Sequence, residues 1–105
     1  MRAGRLASGG AAPVDGESTD VLASGDGFRV EQILSGQVDT PVEYLQEHDE
    51  WVLVVAGAAV LEVDGERVEL AAGGWVELPG GRPHRLLSVV PGTSWVAVHA
   101  GPGGI

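Results

Sequence analysis

The sequence predicts an all-β protein, built as an antiparallel double-sheet jelly roll or small β-barrel. Short segments rich in β-branched and aromatic residues alternate with turn residues at intervals of roughly 8–12 residues, as in sandwiches and barrels. An Asp64-Gly65 pair between two alternating segments predicts a two-residue hairpin turn. No segment carries apolar residues at helical spacing over three turns, so we expect at most one helical turn.

The first residues of the chain lack any periodic pattern. Residues 1–18 are rich in Gly, Ala and Ser, and this composition predicts a flexible N-terminal tail. We therefore expect one barrel domain over residues 19–105, a length that can bury a single modest core.

Three strands are predicted in the first half of the chain. A weak strand, Val21–Ala23, is ended by a Gly-rich turn, and Phe28–Leu34 then alternates in polarity. The third strand, Pro41–Gln46, begins with a proline, at a position where the missing backbone donor is tolerated.

The second half is denser in strand signals. The segment Trp51–Val63 is rich in β-branched residues, with a bend or bulge expected at Gly57–Ala59. Four shorter strands follow the Asp64-Gly65 turn: Arg67–Leu70, Trp75–Leu78, Leu86–Val90 and Trp95–Ala100. The chain should therefore contain seven or eight strands.

Composition excludes several classes of function. The chain has 15 acidic against 6 basic residues, a formal net charge of −9, which opposes binding to nucleic acids and anionic membranes. It has no cysteine for a disulfide, thiolate nucleophile or cysteine metal site. The longest apolar stretch is too short to span a bilayer, and the N-terminus lacks the apolar centre of a secretion signal. We expect a cytoplasmic protein with no nucleic-acid or membrane partner.

Strand parity gathers polar side chains on one face. Tyr44, Gln46 and Glu50 share one side of an extended strand, as does His48 if the chain stays extended. His84 heads a separate strand, and a carboxylate and an imidazole at one barrel mouth can bind a divalent metal. We expect Tyr44, Gln46, Glu50 and His84 to converge in one cavity, where Glu50 and His84 share an ion or a water molecule.

Two spaced motifs surround the predicted hairpin. They are Glu50-x6-Gly57 and Gly73-x5-Pro79-x-Gly81-x2-His84. In this order and spacing they resemble the two motifs of the cupin superfamily, and the chain is similar to small single-domain bacterial cupins. In that superfamily the motifs line the mouth of a barrel and supply its metal ligands.

The first motif is degenerate. Tyr44 and Gln46 stand where cupins have two histidines, and Ser88 replaces the asparagine that ends the second motif. The resemblance implies one divalent transition-metal ion (Mn, Fe, Ni, Cu or Zn) on Gln46, Glu50 and His84, completed by water or Tyr44. A tyrosine hydroxyl binds metal well only when ionised, which requires a pKa about three units below its usual value near 10.

Three functions remain open. One is a metal-dependent enzyme, such as an isomerase, lyase or dioxygenase, acting on a small organic metabolite, with Tyr44 or His48 as the proton donor or acceptor. The second is a metal-free or weakly metallated barrel that binds a small ligand as a sensor, and the third is a structural barrel. Retention of Glu50 and His84 favours the enzyme, whereas the missing histidine pair favours the sensor.

The remaining large side chains indicate packing. Trp51, Trp75 and Trp95 are expected to be core or interface anchors, and His99 a packed histidine rather than a ligand. Small cupins resemble one another in pairing through sheet edges, so we expect a homodimer in which one or more tryptophans are buried.

Overall fold

The structure, a computed structural model that describes residues 1–101, confirms the all-β jelly roll. Nine β-strands form two antiparallel sheets, and the single helical element of these residues is a 3-10 turn, Gly9–Ala11. None of their helices is long and apolar enough to cross a membrane. The predicted end of the domain, Ile105, lies outside the described residues.

The strands are short and follow one another closely. In chain order they are β1 (Glu17–Gly25), β2 (Phe28–Ser35), β3 (Val42–Tyr44), β4 (Asp49–Ala56), β5 (Ala58–Val63), β6 (Glu66–Ala71), β7 (Trp75–Leu78), β8 (His84–Val89) and β9 (Thr93–Ala100). The five-stranded sheet has the order β1-β2-β9-β4-β7, and the four-stranded sheet has the order β3-β8-β5-β6. The edges are therefore β1 and β7 in one sheet, and β3 and β6 in the other.

Most predicted strands are present, with shifted ends. The predicted strand Trp51–Val63 is split into β4 and β5 at Gly57, where the bend was expected. Asp64 and Gly65 form the predicted two-residue turn, with φ of 50° and 80°, the positive values that a type I′ hairpin needs. The clearest difference is β1, which begins at Glu17, inside the predicted tail, and pairs with β2 along most of its length.

The residues before β1 contact the outer face of the barrel. The side chain of Gln32, 3% exposed, donates from Nε2 to the Ala7 carbonyl (2.9 Å) and accepts at Oε1 from the Ala7 amide (3.0 Å). The same Nε2 donates to Ser94 Oγ at 2.9 Å. Nearer β1, the Gly16 amide donates to the Gln37 carbonyl. The segment is thus placed by hydrogen bonds, and its mobility stays a prediction.

The apolar core lies between the two sheets. Its buried members are Val52, Val54, Ala59, Leu61, Leu70, Leu78, Leu86, Trp95 and Ala97. Trp95, 5% exposed, is the one predicted tryptophan anchor that lies in this core, and its Nε1 donates to Ser35 Oγ at 3.0 Å. Because the indole N–H has a partner, the burial of this large ring carries no unsatisfied donor.

Gly57 allows β4 to turn directly into β5. Its φ is +95°, and a Cβ at this position would lie 2.3 Å from Thr93 Oγ1 and 2.8 Å from Thr93 Cα. Thr93 is fully buried and donates from Oγ1 to the Val90 carbonyl at 2.6 Å, so it has no room to move aside. The glycine of the first motif is therefore required by packing.

The outer face of the five-stranded sheet carries an apolar patch. Register pairs Leu53 with Trp75 and Val96, and Trp51 with Val98, so these side chains share one face. We call these five residues the tryptophan patch. The rings of Trp51 and Trp75 lie 6.0 Å apart between centroids, and Trp75 is 60% exposed. Two of the three tryptophans thus lie on the surface.

Candidate functional site

A cavity of about 250 Å³ opens between the two sheets. Its apolar floor is made by Ile33, Val52, Leu61, Leu78, Leu86 and Trp95. Its polar wall is made by Glu17, Thr19, Glu31, Tyr44, Gln46, Glu50, His84 and His99. An apolar floor beneath convergent polar groups is the usual composition of a small-molecule site.

The cavity brings together four residues that were predicted to converge. Tyr44 and His84 are direct partners across β3 and β8, and their rings stack with centroids 5.3 Å apart and planes inclined by 14°. Glu50 enters from β4 in the opposite sheet, and Gln46 from the segment just before it. Their chemical roles as ligands or catalysts stay predictions.

The second motif holds the first in position through backbone contacts. The Gly81 amide donates to the Gln46 carbonyl at 2.7 Å, and the Gly80 amide donates to Asp49 Oδ1 at 2.8 Å. A Cβ on Gly80 would lie 2.1 Å from the Glu47 carbonyl oxygen, so only glycine permits this approach. The contact fixes the backbone from which Gln46 and Glu50 project.

Glu50 is a buried carboxylate with one free oxygen. The residue is 9% exposed, and its Oε1 accepts a hydrogen bond from Gln46 Nε2 at 2.8 Å. His99 Nε2 lies 3.7 Å from Oε2, beyond hydrogen-bond distance. Within residues 1–101 no side chain donates to Oε2, which leaves this oxygen able to accept a hydrogen bond from a ligand.

His84 is neutral at physiological pH. It is 6% exposed, and burial lowers its pKa below the usual 6.5, because desolvation penalises the charged imidazolium. The negative charge of Glu50 and a hydrogen bond with the Arg82 backbone oppose this effect without reversing it. A neutral imidazole can donate at one ring nitrogen and accept at the other.

The cavity favours the protonated form of Tyr44. Burial raises the pKa of Tyr44 to about 12, helped by the charge of Glu17, the hydrogen bond to Glu17 and the charge of Glu50. The hydroxyl donates to Glu17 Oε1 at 3.4 Å. Binding of a metal through Tyr44 would require the phenolate, which this environment disfavours, and that role stays a prediction.

His48 reaches the cavity only through a second histidine. It is not among the lining residues of the described chain, but its Nε2 lies 2.8 Å from His99 Nδ1. His99 Nε2 lies 2.7 Å from Glu31 Oε1, and Glu31 Oε2 accepts from Arg29 Nε at 3.2 Å. His99 thus joins His48 to Glu31 through its two ring nitrogens. Any catalytic role of His48 must therefore pass through His99.

Four polar residues of the cavity wall were not predicted from the sequence: Glu17, Thr19, Glu31 and His99. Glu17 lies in the segment predicted to be a tail, and Glu31 lies in a strand with apolar residues on both faces, which hides the inward face. His99 is 5% exposed with partners at both ring nitrogens, so the prediction of a satisfied histidine is confirmed. It nevertheless lines the cavity as well.

The donor set does not form a ready transition-metal site. In the described part of the chain no group of three His, Cys, Asp or Glu residues is arranged to hold a metal ion. Gln46 presents its NH₂ group to Glu50, and an amide NH₂ donates hydrogen bonds rather than binding cations. The predicted ligands Gln46, Glu50 and His84 share the cavity, and their binding of a metal ion stays a prediction.

The fold, the cavity and the motif spacing together point to one family. The family model described as "Cupin domain" matches residues 29–100, which is more than half of the chain. The chain belongs to the cupin family. None of the curated proteins matches it.

Solved structures agree with this assignment to the cupins. A candidate mannose-6-phosphate isomerase from Ralstonia eutropha JMP134 is 32% identical, with a TM-score of 0.77, over 92% of this chain and 98% of that chain. KdgF from a Halomonas species is 20% identical (TM-score 0.74; 81% and 80% covered). The cupin domain of an XRE-family transcriptional regulator from Enterobacter cloacae is also 20% identical (TM-score 0.69; 84% and 99% covered). The last two similarities show the fold alone.

Titration of Tyr44 tests this description of the cavity. It is the only tyrosine in a chain without cysteine or lysine, so the alkaline ultraviolet signal belongs to one group. We expect an absorbance midpoint at about 12 in the folded protein, and a midpoint near 10 in denaturant. A folded-state midpoint near 10 would contradict the burial of the hydroxyl.

The same shift predicts how stability depends on alkaline pH. Because the folded state holds the phenol proton more tightly than the unfolded state, this contribution is complete below pH 10 and is lost between pH 10 and about 12. Denaturant unfolding across this range should show the loss in the parent and a flatter profile in Tyr44→Phe.

Proposed function

We propose that this cupin is a small enzyme that transfers a proton on a metabolite bound in the cavity. The observation that carries the proposal is the pairing of the buried Glu50 carboxylate with the neutral His84 imidazole in one cavity of about 250 Å³. Acid–base catalysis needs one group that accepts a proton and another that donates or stabilises developing charge. These two side chains meet that need from opposite sheets.

The surroundings of each residue indicate its role in the proposed proton transfer. Glu50 Oε2, which has no donor among the described residues, would accept a proton from a carbon of the substrate. Neutral His84 would donate a hydrogen bond to a substrate oxygen that gains negative charge. Tyr44 stacks on His84 and would fix the plane of its ring. His48 would act on the cavity through His99.

Similarity to the Ralstonia protein supports the isomerase class. That protein is described as a candidate mannose-6-phosphate isomerase, and sugar isomerisation moves a proton between neighbouring carbons. At 32% identity over nearly the whole of both chains, the likeness is stronger than one of fold alone. It supports a proton-transfer reaction for this cupin, whereas the substrate depends on the cavity.

A sensor or carrier barrel without catalysis is the alternative. Two observations favour it: the pKa of Tyr44 lies far above neutrality, and the predicted metal ligands have no preformed shell in the described residues. Such a protein would bind the same small metabolite in the same cavity. We place either protein in the cytoplasm, as its acidic, cysteine-free composition favours.

Deuterium exchange separates the two proposals. A small-molecule extract incubated in D₂O with the protein should gain carbon-bound deuterium in the metabolites that it activates, because an abstracted proton is replaced from solvent. Glu50→Gln should slow the exchange about a hundredfold or more, and His84→Asn should slow it as well. Glu77→Gln, which removes an exposed carboxylate, is the matched control. Metabolites that bind without gaining deuterium would indicate the sensor.

A divalent metal ion is a second proposal for the same cavity. The presence of Gln46, Glu50 and His84 in one cavity supports it. Binding would require the Gln46 amide to turn, so that Oε1 rather than Nε2 faces the ion. A bound ion would act as a Lewis acid toward a substrate oxygen.

Metal titration of four proteins tests the ion. If the site binds metal, Glu50→Gln should abolish binding because it removes the only anionic ligand of the set, and His84→Ala should also release the ion. Gln46→His should raise the affinity by restoring an imidazole. Calorimetry with Mn, Fe, Ni, Cu and Zn gives the measurement. A parent that binds none of these more tightly than Glu50→Gln does would remove the metal proposal.

We also propose that a second copy of the chain covers the tryptophan patch. Trp75 is 60% exposed and lies on β7, an edge strand, so apolar surface and unpaired backbone groups occur together. Such combinations favour association between sheets.

Sedimentation tests the homodimer. At tens of micromolar the parent should sediment as a dimer, and Trp75→Glu should shift it to monomer because the patch then carries a charge. Val90→Glu, at a 54% exposed position outside the patch, should remain a dimer. A monomeric parent would refute the proposal.

A further inference from the structure

The charges that face the cavity are strongly unbalanced. Three carboxylates line it, from Glu17, Glu31 and Glu50, and its lining within the described residues contains no arginine or lysine. The sequence has no lysine at all. Four arginines pair with carboxylates: Arg29 with Glu31, Arg67 with Glu69, Arg82 with Asp64, and Arg85 with Glu62. Only the first of these pairs involves a carboxylate of the cavity.

Two of the three carboxylates are hydrogen-bonded mainly to neutral groups. Glu17 accepts from the hydroxyls of Ser35 and Tyr44. Glu50 accepts at Oε1 from the Gln46 amide, while Oε2 has no hydrogen-bond donor in residues 1–101. Neutral donors satisfy oxygen atoms but leave the negative charge uncompensated. Glu50 is nine-tenths buried and has one oxygen without a donor, so it can accept a charge-assisted hydrogen bond from a positively charged group.

The apolar side chains of the cavity can contact the apolar portion of a ligand. Leu61 and Leu86 lie on one side of the floor, and Val52 and Trp95 lie on the other sheet. The Trp95 ring adds an aromatic surface, which attracts cations electrostatically. Among the described residues, no arginine or lysine on the wall presents a permanent positive charge to an anionic ligand, and the Nε2 atom of His99 is directed at Glu31.

We infer that the cavity selects a small ligand that carries a cationic nitrogen, such as a protonated amine, on a compact apolar body. The nitrogen would lie against Glu50 Oε2, which brings the carbon bonded to it within reach of the same oxygen for the proposed proton transfer, and the body would lie against the apolar floor. This inference rests on the proposed function and names its substrate class.

A cationic ligand differs from the phosphorylated sugar in the name of the Ralstonia relative. A phosphate ester is recognised by arginine or lysine side chains or by a helix N-terminus. The cavity lining has neither in the described chain, and the one helical element is a single 3-10 turn on the N-terminal segment. We therefore expect that this cupin does not bind a phosphorylated sugar in the cavity.

Four probes test the charge preference on the parent protein. Three share one ring and differ in charge: cyclohexylammonium, cyclohexanol and cyclohexanecarboxylate. Mannose 6-phosphate is the fourth. Calorimetry at low salt should show the ammonium binding about tenfold or more tightly than the alcohol, because only the ammonium gains a charge-assisted hydrogen bond. The carboxylate and the phosphate should bind more weakly than the alcohol.

Two variants test whether Glu50 causes the preference for the ammonium over the alcohol. Glu50→Gln keeps the shape of the side chain but removes its charge, so the advantage of ammonium over alcohol should fall about tenfold. Glu77→Gln removes the same charge from the outer face and should keep the advantage, which controls for the net charge of the whole protein.

The outcomes distinguish this inference from the proposed function. If the alcohol or an anion binds as tightly as the ammonium, the charge preference is overturned, and the cavity remains a small-molecule site. If none of the four probes binds, the inference is overturned and the proposed function loses its binding cavity as well. If Glu77→Gln lowers the advantage as much as Glu50→Gln does, the preference arises from overall charge and the inference is overturned.

Discussion

Contact between the Gly80-Gly81 loop and the backbone of residues 46–49 is the constraint on which the cavity depends. Two hydrogen bonds and the absence of a Cβ on Gly80 let one backbone lie directly against the other. This contact fixes where Gln46 and Glu50 project, and the strand that leaves the loop begins at His84. The two family motifs, separate in sequence, are thus the two sides of one contact.

Burial of ionisable groups around this contact is unfavourable unless they have partners. Transfer of a carboxylate from water costs several kcal/mol when no partner is present. Glu50 accepts a hydrogen bond from a neutral amide, and Glu31 has a histidine and an arginine as partners. For His84 and Tyr44, burial favours the uncharged form. Every fully buried side-chain nitrogen and oxygen of the described residues has a partner. The buried ionisable residues, Glu31, Glu50, His84 and His99, all line the cavity.

The sequence predicts the strands well and the cavity in part, for physical reasons. Hairpin chemistry at Asp64-Gly65 and period-two alternation are local, so the turn and most strands can be read directly from neighbouring residues. The predicted convergence of Tyr44 and Glu50 is correct, but strand parity is not its cause: β3 ends at Tyr44, β4 begins at Asp49 in the other sheet, and the two side chains meet across the cavity. Glu31 could not be assigned to a face, because its strand has apolar residues on both sides. Glu17 was hidden because β1 is a polar edge strand that owes its form to pairing with β2.

The two hydrogen bonds between Gln32 and Ala7 have a consequence for which residues the sequence tolerates at position 7. Gln32 recognises the amide and carbonyl of Ala7, atoms that every residue except proline provides alike. This attachment is therefore blind to the side chain at position 7. Position 7 can therefore vary, whereas Arg2 donates through its side chain to the Leu22 carbonyl and a Cβ on Gly9 would meet the Gly92 carbonyl oxygen. Backbone recognition of this kind lets a region of low sequence complexity keep a definite place in the structure.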